Sequence, residues 1–93
     1  MPRYLEATFR DGRLFAACLY FRKASKGSVA RSKREAEGMI VDYDADGQPL
    51  GIEFVAPSHV SVAKINELLH SLQQTPASLD ELWPLIKPAT QAA

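Results

Sequence analysis

One cysteine, two histidines, one tryptophan and no net charge leave few chemistries open to this chain. Cys18 has no second cysteine to bond with, and a lone cysteine with two histidines falls short of the common structural zinc clusters. No run of about 18 apolar residues is available for a membrane-spanning helix. The N-terminal stretch "MPRYLEATFR" lacks the apolar segment of a secretion signal. These absences predict a soluble, cytoplasmic protein with no bound cofactor and no membrane partner.

What is present suits one domain spanning residues 1–93. A chain of 93 residues with 46% hydrophobic content and six prolines can form one core. At that size it buries somewhat more than about 60% of its unfolded surface. The zero net charge conceals a split: residues 1–34 hold nine Lys or Arg against two acids, and residues 35–93 hold two Lys against nine acids. Two layers of one fold that neutralise each other account for such a split, and a basic partner-binding surface is the alternative.

Residues 4 to 21 read as a β-hairpin, because two apolar and aromatic runs flank Asp11-Gly12, a dipeptide that tolerates positive φ at both turn centres. A two-residue turn there sets Arg10 against Arg13, Phe9 against Leu14, Ala7 against Ala16 and Leu5 against Cys18. The odd-numbered partners of the first strand and Cys18 then form the core face. Tyr4, Glu6, Thr8, Phe15, Ala17 and Leu19 take the other face, too apolar for full exposure, which predicts cover by another element or subunit. Residues 22–38 turn small and basic; they open with a mobile loop, and "SVARSKREAE" continues as an edge strand whose cations discourage further pairing.

"IVDYDADGQPLGIEF", residues 40–54, satisfies the calcium-loop pattern D-x-[DN]-x-[DN]-G-x5-E with Asp42, Asp44, Asp46, Gly47 and Glu53. A calcium loop of that type needs a helix on each side. The flanks "GMIVDY" and "GIEFV" are instead β-branched and aromatic, and Pro49 removes a backbone N–H inside the loop. A hairpin centred on Asp46-Gly47 pairs Tyr43 with Leu50, Val41 with Ile52 and Met39 with Phe54 on an apolar face. Asp42 with Gly51 and Ile40 with Glu53 take the opposite one. Asp42 and Glu53 thereby become diagonal neighbours, with Gly51 leaving room for something to approach, and they are the candidate ligands or acid–base groups. An exposed, salt-bridged acidic face is the plainer reading.

After "APSHVS" the period changes to that of a helix. Ser61 caps it, and Val62, Ile65, Leu68, Leu69 and Leu72 form the stripe that packs on the sheet. A second helix near residues 78–88 starts with Ser78 and Glu81 at capping-box spacing and is kept short by Pro84, with Trp83 and Leu85 as anchors and a fraying "ATQAA" tail. No residue recommends itself as catalytic. Cys18 reads as buried and inert, His70 as solvent-exposed, and His59 as an ordinary loop residue. The basic stretch offers Arg31, Lys33 and Arg34 as nucleic-acid contacts, but without interleaved aromatics such binding is electrostatic and weakly specific.

"EGMIVDYDADGQPLGIEF", residues 37–54, resembles the strand, Asp-x-Asp-x-x-Gly turn and Gly-Ile-Glu strand of the prokaryotic family known as domain of unknown function 2283. "AACLYFR", residues 16–22, is similar to the family's Ala-Asp-Ala-Leu-Tyr-Ile-Arg strand, with Ala17 where the family often carries an acid. The resemblance implies a compact antiparallel sheet with helical cover and no assigned enzymatic activity. Through neighbouring genes for small toxin-like proteins, it also implies an antitoxin-like accessory role. The expectation is an α+β fold: about five antiparallel strands from two Asp-Gly hairpins, then a C-terminal helix and a short second one. The predicted function is a non-catalytic protein-interaction module, a homodimer with a possible further protein partner. An ion-binding or enzymatic site on Asp42 and Glu53, and a weak nucleic-acid binder, are the alternatives.

Overall fold

Alternating apolar and polar residues build five strands, and the change of period near residue 60 builds the helix that covers one face of them. The computed structural model describes residues 3–22, 28–55, 57 and 60–85. Its elements are β1 (Tyr4–Arg10), β2 (Arg13–Tyr20), β3 (Arg31–Ala36), β4 (Met39–Tyr43), β5 (Pro49–Phe54) and α1 (Val62–Ser71). The strands form one antiparallel sheet in the order β1-β2-β5-β4-β3. The mobile loop expected at the start of 22–38 falls largely on residues 23–27, which lie outside the described residues, as do His59 and the C-terminal "ATQAA".

The first turn has Asp11 at φ 52° and Gly12 at φ 76°, and Arg10 faces Arg13 and Phe9 faces Leu14. Beyond that the register departs from the sequence expectation. A bulge beside Thr8 and Phe9 leaves Phe15 as an extra residue on β2, so Thr8 faces Ala16, Ala7 faces Ala17, Glu6 faces Cys18 and Leu5 faces Leu19. One extra residue exchanges the faces of everything beyond it, because side chains alternate with period two. Ala17, Leu19 and Phe21 therefore enter the core, and Cys18, expected there, is only partly buried beside Glu6 on the opposite face.

The second hairpin departs from expectation twice, and the two departures cancel. Its loop is one residue longer than a two-residue turn: Asp44 N–H donates to the Gln48 carbonyl at 3.0 Å, with Gly47 at φ 80°. Tyr43 therefore faces Pro49, not Leu50. A bulge at Leu50 then restores the register, so Asp42 faces Gly51, Val41 faces Ile52, Ile40 faces Glu53 and Met39 faces Phe54. Asp44 builds the loop. Its carboxylate accepts the Asp46 and Gln48 N–H groups, each at 2.9 Å, and pairs with Arg22 at 2.6 Å. These contacts, the Gln48 N–H foremost, hold its pKa below the usual range.

Helix α1 begins where expected: the Ser61 hydroxyl accepts the Lys64 N–H at 3.1 Å. Ile65, Leu68 and Leu69 face the sheet and meet Ala17, Leu19, Met39, Val41, Ile52 and Phe54 in the core. Each such fully buried aliphatic side chain contributes roughly 1.5–3 kcal/mol relative to exposure. The chain then doubles back, and Asn66 holds it: Ala77 N–H donates to Asn66 Oδ1 at 2.7 Å, and Asn66 Nδ2 donates to the Ala77 carbonyl at 3.3 Å. Residues 79–85 end in a short helical turn initiated by Ser78, whose hydroxyl accepts the Glu81 N–H at 3.1 Å. Leu82 and Leu85 anchor this turn in the core, whereas Trp83, an expected anchor, is 47% exposed. The turn starts after Ser78, which puts residues 82 and 85 on its inner side.

Candidate functional site

Among the described residues the helix covers one face of the sheet only, and the strand registers fix what lies across the other. One row runs Tyr4, Tyr20, Gly51, Asp42, Ser32; the next runs Glu6, Cys18, Glu53, Ile40, Arg34. Three acids from three strands thus surround Cys18 and the bare backbone of Gly51. Tyr4 and Tyr20 stack at 4.9 Å between ring centroids, and the Ser32 hydroxyl donates to Asp42 Oδ1. The two candidate residues, Asp42 and Glu53, are diagonal neighbours as their hairpin register requires.

On this face three groups are displaced from their ordinary ionisation. The Asp42 carboxyl beside it, and after that burial, raise the Glu53 pKa. A neighbouring carboxyl opposes the ionisation of Glu53. Burial also pushes the Cys18 thiol up. The Tyr20 hydroxyl partly opposes this, while the charges of Glu53, Asp42 and Glu6 add to it. A thiol held protonated among acids is a poor nucleophile. The Tyr20 hydroxyl is raised as well, first by burial and then by Cys18. Among the described residues no group of three or more His, Cys, Asp or Glu is arranged to hold a metal ion.

Gly51 does not leave the expected room. A Cβ on it would lie 2.6 Å from the Leu19 carbonyl oxygen and 3.3 Å from Tyr20 Cα, so the backbone of β2 already fills that space. The glycine serves the β2–β5 seam, where Phe21 N–H also reaches the Leu50 carbonyl at 2.9 Å. The pit between Cys18, Val29, Asp42, Leu50 and Glu53 is about 40 Å³, room for little beyond a water-sized group.

The basic trio is divided by its strand. Arg31 and Lys33 alternate with Ser32 and Arg34, so two point to one face and Arg34 to the other. Arg31 lies over the Tyr43 ring at 4.8 Å and Lys33 lies 3.9 Å from Glu35. Tyr43 in turn donates to Glu35; burial first, and then this bond, push its hydroxyl up to about 12. No continuous phosphate-binding stripe results.

Sequence reasoning missed a groove of about 400 Å³ between the β3–β4 turn and α1, floored by Ala36, Met39 and Leu68 and rimmed by Glu35, Glu67 and Lys64. It arises where two elements distant in sequence meet, so no local pattern announces it.

The Glu53 shift fixes the sign of a pH effect. A carboxyl whose folded pKa lies above its unfolded value contributes stability below the unfolded value and loses it as pH rises through the folded one. Glu53→Gln is therefore expected to gain on the wild type as pH rises from about 4 to 7. Urea midpoints of both proteins across that range check it; a constant difference would mean that the Glu53 pKa is not raised in the folded protein.

No curated protein matches the chain. No solved structure matches it either. A family model does match, over residues 16–57, which carry most of β2, all of β3, β4 and β5, and both Asp42 and Glu53. Over that span the chain is similar to the family described as "Protein of unknown function (DUF2283)".

Proposed function

We propose that the protein is a non-catalytic interaction module that works as a homodimer. One observation carries this reading: the sheet is covered by α1 on one face only, leaving the stacked Tyr4 and Tyr20 with Cys18 and Ile40 on a face that no described element covers. Phe9, Phe15 and Val55 are also exposed, at 51%, 53% and 55%. An enzyme built on Asp42 and Glu53 is less well supported, because the thiol beside them is held protonated and the pit they line has room for little beyond a water-sized group. Nucleic-acid binding is weakened by the division of Arg31, Lys33 and Arg34 between two faces. An antitoxin-like accessory role is one setting for such a module, supported by the family resemblance alone. Sedimentation equilibrium at micromolar concentration tests the reading: a two-chain mass is expected, and a monomer throughout would overturn it.

A further inference from the structure

The two edges of the sheet are unlike. Strand β3 is guarded by exposed Arg31, Lys33 and Arg34, whose like charges oppose pairing with another copy of itself. Strand β1, "YLEATFR", has no lysine and no proline, and among the described residues it pairs with β2 alone. A row of its backbone N–H and C=O groups therefore faces away from the sheet, the arrangement that accepts an added strand.

The side chains of β1 specify what that strand is. Glu6 and Arg10 lie four residues apart on the same face, with Thr8 midway, and all three are exposed. We infer that β1 pairs antiparallel with β1 of a second copy about a two-fold axis at Thr8, joining two sheets into one of ten strands. In this register Glu6 of each copy faces Arg10 of the other, the two Thr8 hydroxyls meet, and Phe9, 51% exposed, covers the other copy's Ala7. Opposite charges and threonine pairs directly across an antiparallel ladder are favourable. A slip that centres the axis on Glu6 brings two carboxylates together and opposes itself. Strand β1 lies outside the matched residues 16–57, so this edge belongs to the chain's own extension of the family sheet.

The inference rests on the homodimer reading and places the contact at the β1 edge, so that the open faces of the two copies join into one wider face. Its test is a charge exchange on the full chain, with circular dichroism to confirm the fold of each variant. Glu6→Arg alone and Arg10→Glu alone each set like charges together twice per dimer and are expected to weaken the dimer about tenfold or more. The double variant, Glu6→Arg with Arg10→Glu, restores the opposition and the wild-type dissociation constant. Amide exchange adds a readout independent of substitution: protection along β1 should rise with concentration. A wild-type dimer indifferent to both single changes, or not restored in the double variant, overturns the β1 interface and leaves the homodimer standing on another surface. A monomeric wild type overturns both.

Discussion

Gly51→Ala is expected to lower stability by about 3 kcal/mol, the upper end of the usual cost of forcing extra volume into a packed interior. The added Cβ would meet the Leu19 carbonyl oxygen at 2.6 Å and Tyr20 Cα at 3.3 Å. Both are backbone atoms of a neighbouring strand, so no side chain can rotate away, and relief requires β2 and β5 to separate. A domain this size has stability on the order of 5–15 kcal/mol, so the loss is a large fraction of the whole. Gly47→Ala separates collision from backbone strain. Gly47 lies at φ 80° with nothing within 4 Å of an added Cβ, and about 1 kcal/mol is expected there. Urea unfolding of both variants against wild type is the measurement; equal losses would mean that the seam is looser than its geometry states.

Arg3→Ala is expected to cost about 2 kcal/mol, as for loss of charge-assisted hydrogen bonds with a partly buried partner left behind. The Arg3 guanidinium grips Glu81 in two places, Nε to Oε2 at 2.7 Å and Nη2 to Oε1 at 3.0 Å. It also donates to the Thr75 carbonyl at 2.6 Å and the Pro76 carbonyl at 3.0 Å. Its side chain is only 12% exposed, so this is not a solvated surface pair of negligible worth. Arg3→Lys should recover less than half of the loss, because an ammonium cannot reproduce the planar fork. A double cycle with Glu81→Gln isolates the pair, and a coupling near zero would show that the grip is idle. The contact fastens the segment after α1 to the start of β1, two parts of the chain on opposite sides of the family-matched span.

Both hairpins were legible in composition, and their registers were not equally so. In each, an Asp-Gly pair between β-prone runs marks the turn, and in each a bulge adds a residue that no side-chain pattern reveals. At Asp46-Gly47 a longer loop offsets the bulge at Leu50, so the pairing of Met39, Ile40, Val41 and Asp42 follows from the simplest turn. At Asp11-Gly12 nothing offsets the extra Phe15, and Cys18 exchanges faces with Ala17 and Leu19. The sequence carried a hint: the mispredicted outer face held Ala17 and Leu19, both apolar, which a one-residue slip explains without a covering subunit. The helix, its Ser61 cap and its inner stripe were plain, because 3.6-residue periodicity allows no slip of that kind. In the candidate site, the adjacency of Asp42 and Glu53 was readable from register. The arrival of Glu6, Cys18 and Tyr20 beside them depends on β2 lying against β5, a pairing between strands more than 30 residues apart.

That pairing sets the order in which the molecule can assemble. Strands β1 and β2, and β3, β4 and β5, join their sequence neighbours through short turns, as hairpins that close on a microsecond scale. Neither unit can bury its apolar side alone, and the long loop between β2 and β5 must be closed before the Leu19–Ile52 pair gives anything back. The slow event in folding is thus the docking of two preformed pieces along one line, and Gly51, which lets their backbones meet, stands on it.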